Sequence, residues 1–150
     1  MIIILDDICI SGIKEILPEM SQSDGWFDYN QYKCIDELID IARDYFDLEK
    51  SIGYEMHKNL MGPAFHYDKD EMLYHKTKVL SFPLCSMVYY PEIENLVGGD
   101  LAFESLMLKP VTNRLVLFSP NLMHGVKKHT GTRVSIGINP WAEKPLAYKM

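Results

Sequence analysis

Cysteine is scarce in this sequence and carries no pairing motif. The three cysteines, Cys9, Cys34 and Cys85, are odd in number, far apart and without a CxxC pair. This spacing argues against a disulfide framework and against a zinc site built from thiolates. We therefore expect a protein of a reducing compartment.

Positive charge and long apolar runs are also lacking. Fifteen Lys and Arg against 21 Asp and Glu give a formal net charge of −6, so no general attraction to nucleic acid or anionic membranes is expected. The N-terminal segment MIIILDDICI has no basic region and reaches Asp6 after four apolar residues that follow Met1. That is too short for a signal peptide or a membrane span. We predict a soluble, cytoplasmic protein with no nucleic-acid or membrane partner.

The composition is otherwise that of a folded protein. Of 150 residues, 47% are hydrophobic and 24% are charged, which is the ordinary globular range and suits one compact domain with a real core. We expect a single domain over residues 1–150, with helical support at about 11–50 and a barrel core at about 52–141.

The N-terminal third is predicted to be mainly helical. A short strand at 2–5 precedes a helical turn for which Ser11 is the candidate N-cap. From 32 to about 50, apolar residues recur at spacings of three and four, which predicts one long helix with a core-facing stripe. The stripe consists of Ile35, Leu38, Ile39, Ala42, Tyr45 and Phe46.

After Ile52 the pattern changes to short apolar runs separated by turn residues. The runs are IGYEMHK, PAFHYD, KVLSF, LCSMVYY, DLAFE, RLVLFS, MHGVKK and RVSIGIN. Eight such runs in about ninety residues favour an antiparallel double sheet. We predict a mainly β protein, a double-stranded β-helix of the jelly-roll or cupin-like kind, with the long helix packed outside it.

A histidine and a carboxylate are suitably spaced for metal binding in PAFHYDKDE. Strand side chains alternate, so His66 and Asp68 share a face roughly 6 to 7 Å apart along the backbone. His124, at the start of a later strand, can supply a third ligand. Two histidines and one carboxylate form the facial triad of non-heme iron(II) oxygenases, which leaves positions open. Each of these residues taken singly could also be an ordinary surface or core-edge residue. The order of the motifs along the chain is therefore needed to distinguish a metal site from that alternative.

That order resembles the 2-oxoglutarate and iron(II)-dependent oxygenases, in particular their prolyl 4-hydroxylase-like branch. HxD at 66–68 is followed by GGDLAF at 98–103, a buried strand at 115–118, His124, and Arg133 nine residues later with Ser135 after it. The resemblance covers about residues 52–141. Arginine here replaces the lysine of the collagen-modifying branch, which weakens the substrate assignment.

The resemblance implies roles for six residues. His66, Asp68 and His124 would hold Fe(II), and Arg133 would pair with the distal carboxylate of 2-oxoglutarate. Ser135 would add a hydroxyl donor, and Tyr90 would reach the same carboxylate, although a register error of one residue would substitute Tyr89. The cofactors implied are Fe(II), 2-oxoglutarate as cosubstrate and O2, with ascorbate a further candidate.

The function implied is hydroxylation of a substrate C–H bond with release of succinate and CO2. A prolyl residue in a peptide or protein is the first substrate expected, and a free amino acid or small metabolite stays open. One alternative is a cupin-type metal-binding, small-molecule-binding or isomerase protein without 2-oxoglutarate turnover. Another is a noncatalytic interaction module.

Several other polar residues are expected to lie outside the metal site. His75 is predicted in a charged loop, His129 in a turn, and Asp70 with Glu71 in a solvated acidic turn. Gly98-Gly99 is interpreted as a hairpin feature or bulge. The apolar residues proposed to wall the pocket are Phe65, Val88, Phe103 and Leu117.

Overall fold

Two antiparallel sheets form the body of the protein, and the computed structural model describes residues 1–149. The strands are β1 (Ile2–Leu5), β2 (Gly25–Phe27), β3 (Gly53–Asn59), β4 (Ser86–Gly98), β5 (Leu101–Phe103), β6 (Met107–Leu108), β7 (Leu115–Phe118), β8 (His124–Val126) and β9 (His129–Trp141). The helices are α1 (Ile13–Ile16), α2 (Lys33–Ala42) and α3 (Glu71–Thr77), with 3-10 turns at Leu17–Glu19 and Leu146–Tyr148.

The larger sheet has the strand order β1-β7-β4-β9-β3-β2, and α2 covers one of its faces. The four stripe residues within α2 pack against alternate residues of the central strands, which confirms that part of the predicted core-facing surface. Phe46, beyond the helix end, is partly buried against the same cluster, whereas Tyr45 is 41% exposed and its predicted place in the stripe is wrong. Residues of the helix and of the sheet share one buried cluster, whose sheet members are Tyr54, Met56, Met87, Tyr89, Leu115, Leu117, Ile136 and Ile138. Because side chains alternate along β9, Ser135 and Asn139 face the opposite way, toward the smaller sheet.

The smaller sheet has the order β6-β5-β8 and encloses a second apolar cluster against the inner face of the larger one. The members of this cluster are Tyr90, Leu101, Phe103, Leu108, Val116 and Phe118. An isolated antiparallel bridge between His66 and His124 adds the HxD segment to the sheet beside β8. The predicted jelly-roll fold is confirmed.

The helical predictions are correct in place but not in length. The structure ends α2 at Ala42, whereas the pattern predicted a helix to about residue 50. A continued helix would carry Leu48 about 240° around the axis from Ala42, yet Leu48 is buried in the α2 cluster. Arg43 Nη1 donates to Leu48 O at 3.3 Å across this turn. No helix within residues 1–149 is long and apolar enough to cross a membrane.

The predicted strands at 63–68 and 78–82 are wrong. The first contributes only the bridge at His66, and α3 occupies residues 71–77 instead of a loop. The reason is Asp70, whose side chain accepts from Leu73 N at 3.0 Å as the N-cap of α3. It also accepts from Leu146 N at 2.8 Å and is only 6% exposed. Asp70 is therefore a buried cap and not part of a solvated acidic turn.

Three smaller predictions also differ from the structure. His75 lies within α3 and not in a loop, and His129 begins β9 instead of sitting in a turn. Ser11 does not cap α1, because Gly12 precedes that helix in a left-handed conformation with a φ of 90° and no side-chain cap. None of these residues reaches the site described below.

Candidate metal centre and cleft

Three side chains meet between the two sheets, two from the segment after β3 and one from β8. His66 N donates to His124 O at 2.9 Å, and His124 N donates to His66 O at 3.0 Å. The two imidazole centroids are 4.5 Å apart. Asp68 Oδ1 lies 3.2 Å from His66 Nε2 and 3.4 Å from His124 Nε2. One donor atom from each residue falls within 4.8 Å of the others, so the structure brings the predicted triad together.

The remaining ring nitrogens of both histidines are held by backbone carbonyls. His66 Nδ1 lies 2.7 Å from Ala64 O, and His124 Nδ1 lies 2.9 Å from Leu122 O. Because a carbonyl oxygen only accepts, each Nδ1 carries a proton, and Nε2, which faces Asp68, is the nitrogen that can bind a metal once it is deprotonated. Two imidazole nitrogens and one carboxylate oxygen are the donor set that suits iron(II). The residues therefore fit the implied metal.

Asp68 is oriented through its second oxygen. Ser86 Oγ donates to Asp68 Oδ2 at 2.7 Å, and Asn139 Nδ2 donates to it at 3.1 Å. Burial acts to raise the pKa of Asp68, but hydrogen bonds from His124, His66 and Ser86 outweigh burial and hold the pKa well below its usual range. The carboxylate is thus ionised, with Oδ1 turned toward the histidines.

Ser86 and Asn139 were not singled out from the sequence. Asn139 Nδ2 also donates to Ser86 Oγ at 3.1 Å, which ties the start of β4 to the end of β9. One signal was available for Asn139, because it lies six residues after Arg133 on the same strand and an even separation places both on one face. Nothing in the sequence pattern indicated Ser86, whose position depends on how β4 and β9 pair.

Arg133 is a buried cation without an anionic partner. Only 2% of it is exposed, and its Nε donates to Gly99 O at 2.8 Å. Within residues 1–149 no carboxylate lies at ion-pair distance from its guanidinium. Burial lowers the pKa of Arg133. Arg133 and the His66, Asp68 and His124 side chains line the same inner cavity, where an uncompensated buried charge is costly until an anion binds it.

Ser135 and Tyr90 both contact Arg133. Arg133 Nη1 donates to Ser135 Oγ at 3.2 Å, and the Ser135 hydroxyl donates to Asn59 O at 3.4 Å. Arg133 Nη2 is 3.5 Å from the Tyr90 hydroxyl, and its guanidinium carbon lies 5.3 Å from the centre of the Tyr90 ring. Burial raises the pKa of Tyr90 to about 12, although Arg133 opposes the shift. The phenol is therefore a neutral donor at the inner end of the cavity.

Tyr89 lies on the other face of β4. Its hydroxyl donates to Ile8 O at 2.6 Å and toward Asn113 Oδ1 at 2.9 Å, on the helix side of the sheet. The pairing of β4 with β9 is irregular between Tyr89 and Glu92, and Tyr90 belongs to the inner apolar cluster. The structure thus places Tyr90, and not Tyr89, beside Arg133.

Gly98 and Gly99 form the turn between β4 and β5, as the sequence suggested. Both have positive φ values, 81° and 78°, which glycine adopts most readily. A Cβ on Gly99 would lie 3.0 Å from Arg133 Cδ. The turn therefore supplies a carbonyl to the guanidinium and also leaves room for its side chain.

The four residues proposed as pocket walls lie in different places: two are at the inner cavity, one is on the opposite face of the larger sheet, and one is exposed. Val88 lines the inner cavity, and the Phe103 ring lies 6.1 Å from that of His124. Leu117 is wrong for this role because it packs in the α2 cluster. Phe65 is 46% exposed and cannot be a core wall.

A wider cleft of about 510 Å³ lies next to the triad and contains Glu55, a residue that the sequence analysis did not select. Trp141 Nε1 donates to Glu55 Oε1 at 2.8 Å, and Tyr148 Oη donates to Glu55 Oε2 at 2.8 Å. Burial raises the pKa of Glu55 to about 7, and these two hydrogen bonds only partly oppose it. A carboxyl group of this kind costs stability when ionised.

Replacing Glu55 with glutamine is expected to stabilise the fold above neutral pH. The folded-state pKa of Glu55 is raised from 4.5 to about 7, so the stability that Glu55 contributes is present below pH 4.5 and lost as the pH rises through 7. Glu55→Gln should therefore exceed the wild type in unfolding free energy by up to about 3 kcal/mol at alkaline pH. Denaturant unfolding at several pH values measures this, and Glu143→Gln, an exposed acid, serves as control. A constant difference between Glu55→Gln and wild type across the pH range would contradict it.

Comparisons with known proteins show the fold at low sequence identity. No family model matches the chain, and no curated protein matches it. A viral collagen prolyl hydroxylase from Paramecium Bursaria Chlorella virus-1, in complex with 2OG, is 15% identical with a TM-score of 0.64, covering 95% of this chain and 96% of its own. A Pseudomonas putida prolyl-4-hydroxylase is 16% identical with a TM-score of 0.63, covering 95% and 93%.

A third similar structure holds a peptide. It is a Trichoplax adhaerens prolyl hydroxylase in complex with a fragment of the hypoxia inducible factor oxygen degradation domain, 15% identical with a TM-score of 0.62, covering 99% of this chain and 87% of its own. The likeness covers 95% or more of this chain in all three cases. The chain therefore has the double-stranded β-helix fold of these prolyl hydroxylases.

Proposed function

We propose that the protein is a single-domain Fe(II)- and 2-oxoglutarate-dependent oxygenase. The observation that carries this proposal is Arg133, a buried guanidinium without a carboxylate partner in the described chain, on the same cavity as the triad. A triad alone would suit many metal proteins. A triad beside an uncompensated cation is suited to a metal-binding ligand that also bears a distal carboxylate, as 2-oxoglutarate does.

His66, Asp68 and His124 would hold the iron. Iron(II) bound there supplies the redox chemistry that couples oxidative decarboxylation of 2-oxoglutarate, giving succinate and CO2, to hydroxylation of a substrate C–H bond. The chain supplies ligand geometry: carbonyl oxygens fix both histidine tautomers, and Ser86 and Asn139 hold Asp68 so that one oxygen faces the metal. Three protein ligands leave positions for the cosubstrate.

Arg133, Tyr90 and Ser135 would bind the distal carboxylate of 2-oxoglutarate. The planar guanidinium pairs with a carboxylate through two parallel hydrogen bonds, and the Tyr90 phenol lies beside it to add a third. Ser135 supports Arg133 Nη1 and is a weaker candidate for direct contact, since its hydroxyl already donates to Asn59 O. Val88 and Leu101 also line this cavity and help to exclude water.

A peptide is the substrate class first proposed, with a prolyl residue as the oxidised group. The support is the shared fold and the peptide bound to the Trichoplax adhaerens enzyme; an amino acid or small metabolite would use the same metal residues. We propose a cytoplasmic location on the basis of the three unpaired cysteines, with no nucleic-acid partner because the net charge is −6.

The cupin-type and noncatalytic alternatives give no role to Arg133. A cupin-type metal protein needs the triad alone, and an interaction module needs neither the triad nor a buried cation. Hydrogen bonds to Gly99 O and Ser135 offset part of the free-energy cost of keeping this guanidinium inside the fold, and an anionic ligand would offset more of it. The oxygenase is therefore the function that the described contacts support best.

The direct test is succinate formation by the loaded protein. The chain is loaded with iron(II) without oxygen, mixed with 2-oxoglutarate and exposed to air, with and without proline-containing peptides. Succinate that requires iron, and that one of the peptides stimulates, would support the proposal. Absence of succinate together with failure of 2-oxoglutarate to bind the metal-loaded protein would overturn it.

Asn139→Ala is expected to weaken iron binding by about 10- to 100-fold, the usual effect of losing a hydrogen bond to a metal ligand. The variant removes one of the two donors to Asp68 Oδ2, so that the carboxylate can rotate away from the histidines. Competition with a chelator measures the iron affinity. Asn121→Ala, in the exposed turn before β8, is the matched control; equal affinities for the two variants would show that Asn139 does not orient Asp68.

A further inference from the structure

Glu55 is a carboxylate of the cleft that the proposed chemistry does not use. It lies on β3 two residues before His57 and four before Asn59, so all three face the inside of the double sheet. All three line the cleft or the inner cavity beside it. Glu55 is part-buried, within reach of a molecule that occupies the cleft.

The Glu55 carboxyl group is held by two hydrogen bonds but has no cationic partner in the described chain. Each oxygen accepts one hydrogen bond from a neutral donor, Trp141 Nε1 on one side and the Tyr148 hydroxyl on the other. No Lys, Arg or His of the described chain lies at ion-pair distance from it. Because each carboxylate oxygen can accept a further hydrogen bond, Glu55 has acceptor capacity left for a group that enters the cleft.

The other charges of the cleft leave it negative near Glu55. Two lysines line it, but Lys58 Nζ donates to Leu17 O at 3.0 Å and Lys69 Nζ pairs with Glu71 at 3.0 Å. Asp24 also lines the cleft, and its Oδ1 lies 2.7 Å from His57 Nδ1. Asp24 further raises the pKa of Glu55, after the larger effect of burial. A cation entering the cleft would relieve this repulsion.

Glu55 is close enough to the triad to position a substrate. In the β3–β9 register Glu55 lies directly opposite Asn139, and directly opposed residues have Cβ atoms roughly 5 Å apart. Asn139 in turn donates to Asp68 Oδ2 at 3.1 Å. One cross-strand pair and one hydrogen bond therefore separate Glu55 from the proposed metal ligand Asp68, and both residues line the same cleft.

We infer that Glu55 binds a positively charged group of the substrate, an ammonium or guanidinium, and that the enzyme acts on cationic substrates. The inference rests on the proposed function, because it takes the cleft beside the triad to be the substrate site. Such an ammonium or guanidinium group can belong to a basic side chain in a peptide or to a free basic amino acid. Trp141 and Tyr148 are positioning residues that hold the carboxylate for this contact.

Nuclear magnetic resonance of the two tryptophan indole N–H groups tests the inference. The chain has two tryptophans: Trp141 Nε1 donates to Glu55, whereas Trp26, which lies opposite Glu55 in the β2–β3 register, donates its Nε1 proton to Asp28 at 3.3 Å. N-acetyl-arginine amide, which is charged, and N-acetyl-citrulline amide, which is neutral and of similar shape, are titrated into the full chain. The titrations are done with and without 2-oxoglutarate and zinc(II), a diamagnetic substitute for iron. We expect the charged probe to shift the Trp141 signal, whose indole N–H contacts Glu55, in wild type and not in Glu55→Gln, and the neutral probe to leave the Trp141 signal unchanged in both.

Above pH 7, where Glu55 is ionised, Glu55→Gln should weaken binding of the charged probe about tenfold or more, because the charge-assisted hydrogen bond is lost while the shape is kept. Glu143→Gln removes an exposed charge after β9 and should bind as the wild type does. Equal shifts by both probes, no shift by either, or unchanged affinity in Glu55→Gln would overturn the inference.

Succinate assays separate the sources and the two proposals. Free arginine, free lysine, and prolyl peptides with arginine or citrulline beside the proline are compared as stimulants. Stimulation by a basic compound over its neutral counterpart supports the inference, and the identity of that compound names the source. If the wild type neither binds 2-oxoglutarate nor forms succinate, the oxygenase proposal fails while the indole titration still shows whether Glu55 binds a cation. If succinate forms equally with arginine and citrulline peptides, the cationic-substrate inference fails alone.

Discussion

Replacing His124 with alanine is expected to lower succinate formation by more than about 100-fold, since loss of an outer hydrogen bond to a ligand already costs roughly 10- to 100-fold. His124 Nε2 is one of the two imidazole nitrogens of the triad that can bind a metal, and Asp68 Oδ1 lies 3.4 Å from it. Without it, His66 and Asp68 would bind iron through two side chains. Iron affinity by chelator competition and succinate yield from 2-oxoglutarate measure the effect.

The control for this prediction must separate metal loss from misfolding. His124 is 5% exposed, and its ring packs 4.6 Å from that of Phe118, so alanine also removes core contacts. Asp68→Asn keeps the size of the side chain and should show the same loss of iron binding with less effect on packing. His75→Ala, an exposed change in α3, should retain full activity. Normal succinate formation by folded His124→Ala and Asp68→Asn proteins would contradict the metal assignment.

The sequence allowed the metal-site candidates to be named because local spacing places them. Strand alternation predicted His66 and Asp68 on one side of the chain, and the two side chains do converge although the segment forms only an isolated bridge at His66; the order of the later elements indicated His124 and Arg133. The structure brings those four together around one cavity. The jelly-roll fold followed from the same run of short apolar segments, which are too short and too close for helices between parallel strands.

The supporting contacts could not be predicted, because they join residues that are distant in sequence. Asn139 is 71 residues from Asp68, and Tyr148 is 93 residues from Glu55. Contacts of this kind depend on the β3–β9 register and on where the chain returns after β9, which hydrophobic periodicity does not encode. The α3 helix was missed for a local reason, since it has only seven residues, about two turns, and a capping aspartate, Asp70, is the main sequence signal for it.

Removing the Arg133 charge is expected to weaken 2-oxoglutarate binding at least about 30-fold, because loss of one partner of a buried charge pair costs about 2 to 5 kcal/mol. Arg133→Met keeps most of the volume and removes the guanidinium. Arg133→Lys should fall between Arg133→Met and wild type, since a lysine keeps the charge but cannot also reach Gly99 O and present two parallel donors. Titration of the metal-loaded protein with 2-oxoglutarate measures all three affinities.

The stability of the same variants tests whether the Arg133 guanidinium binds a ligand or supports the fold. Its charge is 2% exposed and unpaired within residues 1–149, so Arg133→Met without ligand should be as stable as the wild type or more stable. Added 2-oxoglutarate should raise the melting temperature of the metal-loaded wild type and not that of Arg133→Met, because only a ligand bound to the folded state stabilises it. Lys76→Met, an exposed change in α3, should behave as the wild type does. Equal stabilisation of wild type and Arg133→Met by 2-oxoglutarate would show that another group binds its carboxylate, and a large loss of stability in unliganded Arg133→Met would assign the guanidinium a structural role.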